Sequence, residues 1–179
     1  MNGYLQNAYA AIEDAIKGMT PEDMARHREG KWCAAEILEH LALAFGSTAK
    51  VMQRCLDCGQ TSASKPNLRD RFVCGVVTGL GYIPEGRKAP THVVPKGIQA
   101  QEAQRLVFEN LETMDVVMQR CEEQFGTMVR IADHPILGPL SLTRWRKFHW
   151  VHTRHHMKQI ARLRNSPAAA VKSVASARS

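Results

Sequence analysis

The stretch FHWVHTRHHMKQI, residues 148–160, holds four of the chain's eight histidines: His149, His152, His155 and His156. An imidazole is cheap to bury while neutral, but its N–H and its lone pair each still need a partner. A helix advances about 100° per residue. With His152 at zero, His156 falls at about +40°, His149 at about +60° and His155 at about −60°, so the four share one arc of about 120°. Trp145, Phe148, Gln159 and Leu163 lie on the same stripe, and Lys147, Trp150, Arg154 and Lys158 lie opposite, so the histidines point inward. A single inward histidine is ordinarily a core residue bonded to a carbonyl. Four facing one interior suggest a shared partner, and the i, i+4 pair His152 and His156 has the spacing that brings two nitrogens from successive turns onto one metal ion.

A tetrahedral or octahedral ion needs more than two histidines from one helix. The candidate third ligand is His40, on the inward stripe of KWCAAEILEHLALAF, with Glu36 one turn before it. Each histidine lies well inside its own helix rather than at an end. Other groups offer less. CLDC, Cys55 to Cys58, has the spacing of a redox dithiol or half a zinc site, but no second CxxC and no βαβ context accompany it, so two thiols at a helix end are the default. His134, in ADHPILG, either stands over the mouth of a site or is an exposed turn residue. Lys147, Arg154 and Lys158 cluster around Trp150 on the outer face, yet no nucleic-acid-binding signature goes with them. A solvated charged face is the simpler reading, and nucleic acid is not an expected partner.

Helices must position these side chains. Apolar periodicity predicts four long ones, over about residues 3–18, 33–57, 99–124 and 141–164. TPED at 20–23 predicts a short extra helix start, with Thr20 as N-cap, Pro21 first in the helix and Asp23 closing a capping box. About 40 residues separate the second and third long helices, with a short helix near 68–80 and then the Pro- and Gly-rich GYIPEGRKAPTHVVPKG. A connection that long fits a crossover leaving those two helices parallel, in an all-α, up-down-down-up four-helix bundle. Strand alternation is scarce, THVV at 91–94 being the one candidate. One domain over 1–164 is expected, followed by a disordered basic tail over 165–179.

The formal charge is +7, and 44% of residues are hydrophobic, an ordinary balance for a globular protein. No apolar run has the length of a membrane span, and MNGYLQNAYAAIEDAIKG lacks a signal peptide's basic start and apolar stretch. A cytoplasmic location, with no membrane partner, is the expectation. Five cysteines placed within helical patterns do not resemble a secreted disulfide framework.

KWCAAEILEHL, then RKAPTHVVPKG, then DHPILGPLSLTRWRKFHWVHTRHHMKQI together resemble the DinB-like superfamily of metal-binding four-helix bundles. The likeness is strongest to an uncharacterised branch, a domain of unknown function, and spans roughly residues 5–164. The resemblance implies a three-histidine divalent metal site of His40, His152 and His156. Gln159, three residues after the last ligand, favours the pair 152 and 156 over 152 and 155. Cys33 stands where the family often has Ser or Thr, which weakens a helix cap and not the site.

Three neutral imidazoles leave at least one coordination position open. Zinc there would lower the pKa of a bound water or hold a thiol as thiolate, whereas nickel or iron would admit more ligands; the donors do not choose between zinc, nickel and iron. Glu36 is a candidate base, an orienter of His40, or simply half of a salt bridge. His149 and His155 are candidates for a fourth ligand, a proton shuttle or packed groups. The resemblance implies a metal-dependent enzyme, a thiol S-transferase using a low-molecular-weight thiol or a hydrolase of a small molecule. The alternative is a non-catalytic metal-binding or stress-associated helical bundle, with a homodimer as one expected form, in which the metal is a structural pin.

Overall fold

The computed structural model describes residues 1–83 and 88–165. The tail expected to be disordered therefore lies, beyond Asn165, outside the described residues.

Helix α1 (Gly3–Ile16) buries Leu5, Ala8, Ile12 and Ile16, one helical stripe. A single turn, α2 (Pro21–Met24), follows with the capping box expected from TPED. Thr20 N–H donates to Asp23 Oδ2 and Asp23 N–H donates to Thr20 Oγ1, each at 3.2 Å. The other long helices are α3 (Ala34–Cys58), α5 (Ala100–Phe125) and α6 (Leu142–Arg164). Each lies within a few residues of its sequence expectation, because each carries an apolar stripe strong enough to specify it.

Helix α3 packs chiefly on α5, and α1 chiefly on α6. Asn110 Nδ2 donates to the Ala42 carbonyl at 3.0 Å, and farther along Arg120 donates to Gln53 Oε1 at 3.2 Å. Contacts that advance together along both chains mean that α3 and α5 run in the same direction. Gly46 permits this approach, since a Cβ there would lie 3.2 Å from Asn110 Nδ2. Against α6, α3 runs the opposite way: His40 meets His152, whereas Thr48, two turns on, meets His149. The inward faces share one apolar core, in which Phe45, Leu41, Met52, Leu111, Met114 and Met118 are fully buried.

Between α3 and α5 the chain forms α4 (Leu68–Cys74), prolonged by a π-helical turn over Gly75–Gly79, and a 3₁₀ turn over Thr91–Val93. The strand expected at THVV is therefore this 3₁₀ turn. The all-α expectation needs a second correction, because the fold is mostly helical but includes an antiparallel hairpin of β1 (Arg130–His134) and β2 (Gly138–Ser141). Pro135 and Pro139 obscure its alternation in the sequence. Pro139 is tolerated because each strand of a two-stranded ribbon has a free outer edge, where a missing N–H costs no ladder bond. The turn ends at Gly138, with φ +69°, where a Cβ would lie 2.5 Å from Asp70 Cγ, so α4 seats directly on the hairpin. Among the described residues no helix is long and apolar enough to cross a membrane.

Candidate metal centre

Helices α3 and α6 bring His40, His152 and His156 together, with one donor nitrogen from each lying within 4.8 Å of the others. Two of these rings are oriented from behind. His40 Nδ1–H donates to the Val93 carbonyl at 2.7 Å, and His156 Nδ1–H donates to Gln159 Oε1 at 2.8 Å. A carbonyl oxygen can only accept, so the proton of each ring is committed to Nδ1 and the lone pair sits on Nε2. Both lone pairs face His152 Nε2, 3.2 Å from that of His40 and 3.0 Å from that of His156.

His152 cannot satisfy this arrangement by itself. With its proton on Nε2 it has one N–H for two facing lone pairs, and its buried Nδ1, which has no partner, is left as an orphan acceptor. With its proton on Nδ1, three lone pairs converge and the buried Nδ1–H is the group left without a partner. A cation at their meeting point answers the second state. The spacing suits it: two nitrogens about 2.05 Å from one ion are about 3.3 Å apart in a tetrahedron and about 2.9 Å apart at right angles. The two separations from His152 Nε2, 3.2 and 3.0 Å, fall between these values.

A proton is a poor substitute for that cation. Burial pushes the pKa of His40 down, that of His156 down to about 3, and that of His152 well below the usual imidazole range. Repulsion from charge on neighbouring histidines adds to the effect at His152 and His156. At neutral pH the three rings are neutral donors.

Glu36 does not reach His40. Its Oε2 accepts the Cys33 N–H at 2.9 Å, closing the first turn of α3, and lies 3.5 Å from His27 Nδ1. Thus the orienting role considered for Glu36 falls to the Val93 carbonyl. His149 is buried, shares a hydrogen bond with Thr48 Oγ1 at 3.1 Å and packs among Phe45, Trp145 and Phe148. Its Nδ1 has no partner, and burial pushes its pKa down to about 3. His155 stands beside the site, its ring 5.2 Å from that of His156 and its Nε2 3.3 Å from Gln159 Nε2. Gln159 therefore touches both neighbouring histidines, but its carbonyl end goes to His156.

His134 is built into the hairpin turn, its Nδ1 accepting the N–H groups of Ile136 and Leu137 at 3.1 and 3.2 Å. Its ring lies 4.4 Å from that of Phe148, which in turn stacks on His152. Both cysteines of CLDC are free, Cys55 buried against Ser62 and the Ile131 carbonyl and Cys58 exposed. A second close group, His27, Cys33 and Glu36, lies at the start of α3, but burial pushes the Cys33 thiol up and Glu36 is already engaged.

Sequence reasoning missed Glu39. This carboxylate is only 3% exposed and accepts three successive backbone N–H groups, those of Lys96, Gly97 and Ile98, at 2.8, 2.9 and 3.2 Å. It straps the crossover to α3, and the strap carries Val93. The available signal was an acid adjacent to His40 together with PKG, a Pro-to-Gly turn whose consecutive amides suit an anion.

A family model described as a protein of unknown function (DUF1569) matches residues 85–163. The match takes in α5, the hairpin, His152, His156 and Gln159, and it leaves α1 and His40 outside. Comparisons with curated proteins and with solved structures return no match.

Proposed function

We propose that this chain is a DinB-like, up-down-down-up four-helix bundle that holds a divalent metal ion on His40, His152 and His156 and uses it catalytically. The chemistry would be S-transfer with a low-molecular-weight thiol or hydrolysis of a small molecule. The carrying observation is that three Nε2 atoms converge while the opposite nitrogens of His40 and His156 are committed to oxygen acceptors. The parallel run of α3 and α5 and the antiparallel run of α3 and α6 support the topology. Bound zinc, nickel or iron would supply Lewis acidity toward a thiol or a water. The protein supplies orientation. Val93 and Gln159 fix two rings, Trp32 packs on His40 with ring centroids 5.1 Å apart, and Phe148 covers one face of His152. His152 is the one partly exposed member of the three, although its Nδ1 is shielded from solvent.

Elemental analysis of untagged protein purified without added metal tests the reading. About one equivalent of metal is expected, absent from His40→Ala, His152→Ala and His156→Ala and largely kept by His155→Ala. Failure to take up metal on titration would make the histidines a polar core network. If chelation unfolded the protein, the metal would be a structural pin rather than a catalyst.

A further inference from the structure

Away from the histidines, a cavity of about 230 Å³ opens where α4, the hairpin and the start of α6 meet. Three arginines from three elements line it: Arg71 of α4, Arg130 of β1 and Arg144 of α6. One acid shares the lining, Asp70, and its Oδ2 already accepts the Asn67 N–H at 3.0 Å. Among the described residues no carboxylate lies within 4.0 Å of any of the three guanidinium groups. Arg144 instead donates to the buried thiol of Cys74, at 3.6 Å.

Three like charges gathered around one concavity repel one another unless an anion neutralises them. A further observation has the same sign. Helix α6 begins at this rim with no side chain capping it and no acid in its first turn, whereas α2 and α4 each begin with a carboxylate-closed capping box. The positive end of a 23-residue helix is thus left without a counter-charge from its own side chains.

We propose that this cavity binds a phosphate group, carried by a small phosphomonoester or free as inorganic phosphate. Three arginines against one aspartate leave two positive charges, which match a dianion, and three planar forks suit a tetrahedral group with several terminal oxygens better than a carboxylate. The volume lies below the roughly 300–1,000 Å³ of drug-sized sites, so the ligand is small. Pro66, Leu137 and Pro139 offer an apolar wall for a short organic group. Arg144 precedes His152 by two turns, about 12 Å along α6, so the site is separate from the metal centre and does not depend on it.

Calorimetric titration of the full chain with inorganic phosphate and with glycerol 3-phosphate, at ionic strength held constant with chloride, tests the proposal. Saturable binding of one equivalent is expected, weakened at least about tenfold by Arg130→Gln or Arg144→Gln and unchanged by Lys147→Gln on the outer face of α6. The arginines of the cavity are exposed, so unchanged melting temperatures should accompany the loss. Tighter binding of the ester would assign the site to a phosphomonoester, and tighter binding of phosphate to the free ion. Non-saturable binding, equal loss in Lys147→Gln, or binding of a short oligonucleotide without binding of phosphate would overturn it.

Discussion

Replacing Glu39 by glutamine tests whether the crossover strap orients the three-histidine group. The carboxylate is 3% exposed, with Oε1 accepting from Lys96 and Oε2 from Gly97 and Ile98. Glutamine keeps one oxygen and turns an N–H₂ toward at least one of those amides, so a donor then faces a donor in a buried place. Losing charge-assisted bonds of this kind costs about 1.5–3 kcal/mol. For a domain of this size each kcal/mol moves the melting temperature by about 2–4 °C, so Glu39→Gln should melt about 3–12 °C lower. The Val93 carbonyl on the same strap fixes the His40 ring, and loosening such an orienting contact typically weakens metal binding about 10- to 100-fold. Thermal melts followed by circular dichroism read the first effect, and competition with a chromophoric chelator reads the second. An unchanged melt would refute the strap. A lowered melt with unchanged metal affinity would refute the link from Glu39 through Val93 to His40.

Metal at about 100 times its Kd should raise stability by about 2.7 kcal/mol, a rise of about 5–11 °C in Tm that His152→Ala abolishes in the same scan. Burial holds His149 neutral in the fold, its pKa pushed down to about 3, whereas in the unfolded chain it protonates at about 6.5. Its contribution is therefore complete above about pH 6.5 and lost as pH falls from there toward 3, so His149→Gln should make urea-determined stability fall less steeply between pH 6 and 4, the remaining slope belonging to the other buried histidines. An equally steep profile in that variant would assign the acid sensitivity elsewhere. Arg146 is buried and paired with Glu122 at 2.6 Å, so Glu122→Gln should destabilise by about 1–3 kcal/mol while Arg146→Met costs less, because only the first strands a buried charge. Denaturant midpoints of the two variants compare these costs directly.

The long helices were legible because each carries its own signal. The Leu5-to-Ile16 stripe, the Thr20 capping box and the inward histidine arc of α6 are local patterns with a helical period, and local geometry decides them. The i, i+4 pair and the inward His40 could be read for the same reason, since the helix itself sets which side chains share a face. The hairpin could not. Its prolines break the alternation, and what makes it a sheet is pairing across a turn that also seats Asp70 of α4 on Gly138. Nor could the partners of the rings be read. Glu36 is a plausible orienter of His40 by spacing, but the backbone carbonyl of Val93, 53 residues away, takes that place, held there by an acid whose three partners are amides. The same limit applies to the arginine cavity, assembled from residues 71, 130 and 144. Periodicity along the chain thus determined which side chains turn inward and which helices carry them. Only tertiary packing decided which nitrogen of each histidine is free, because a ring's proton goes to whatever acceptor the distant chain brings to it.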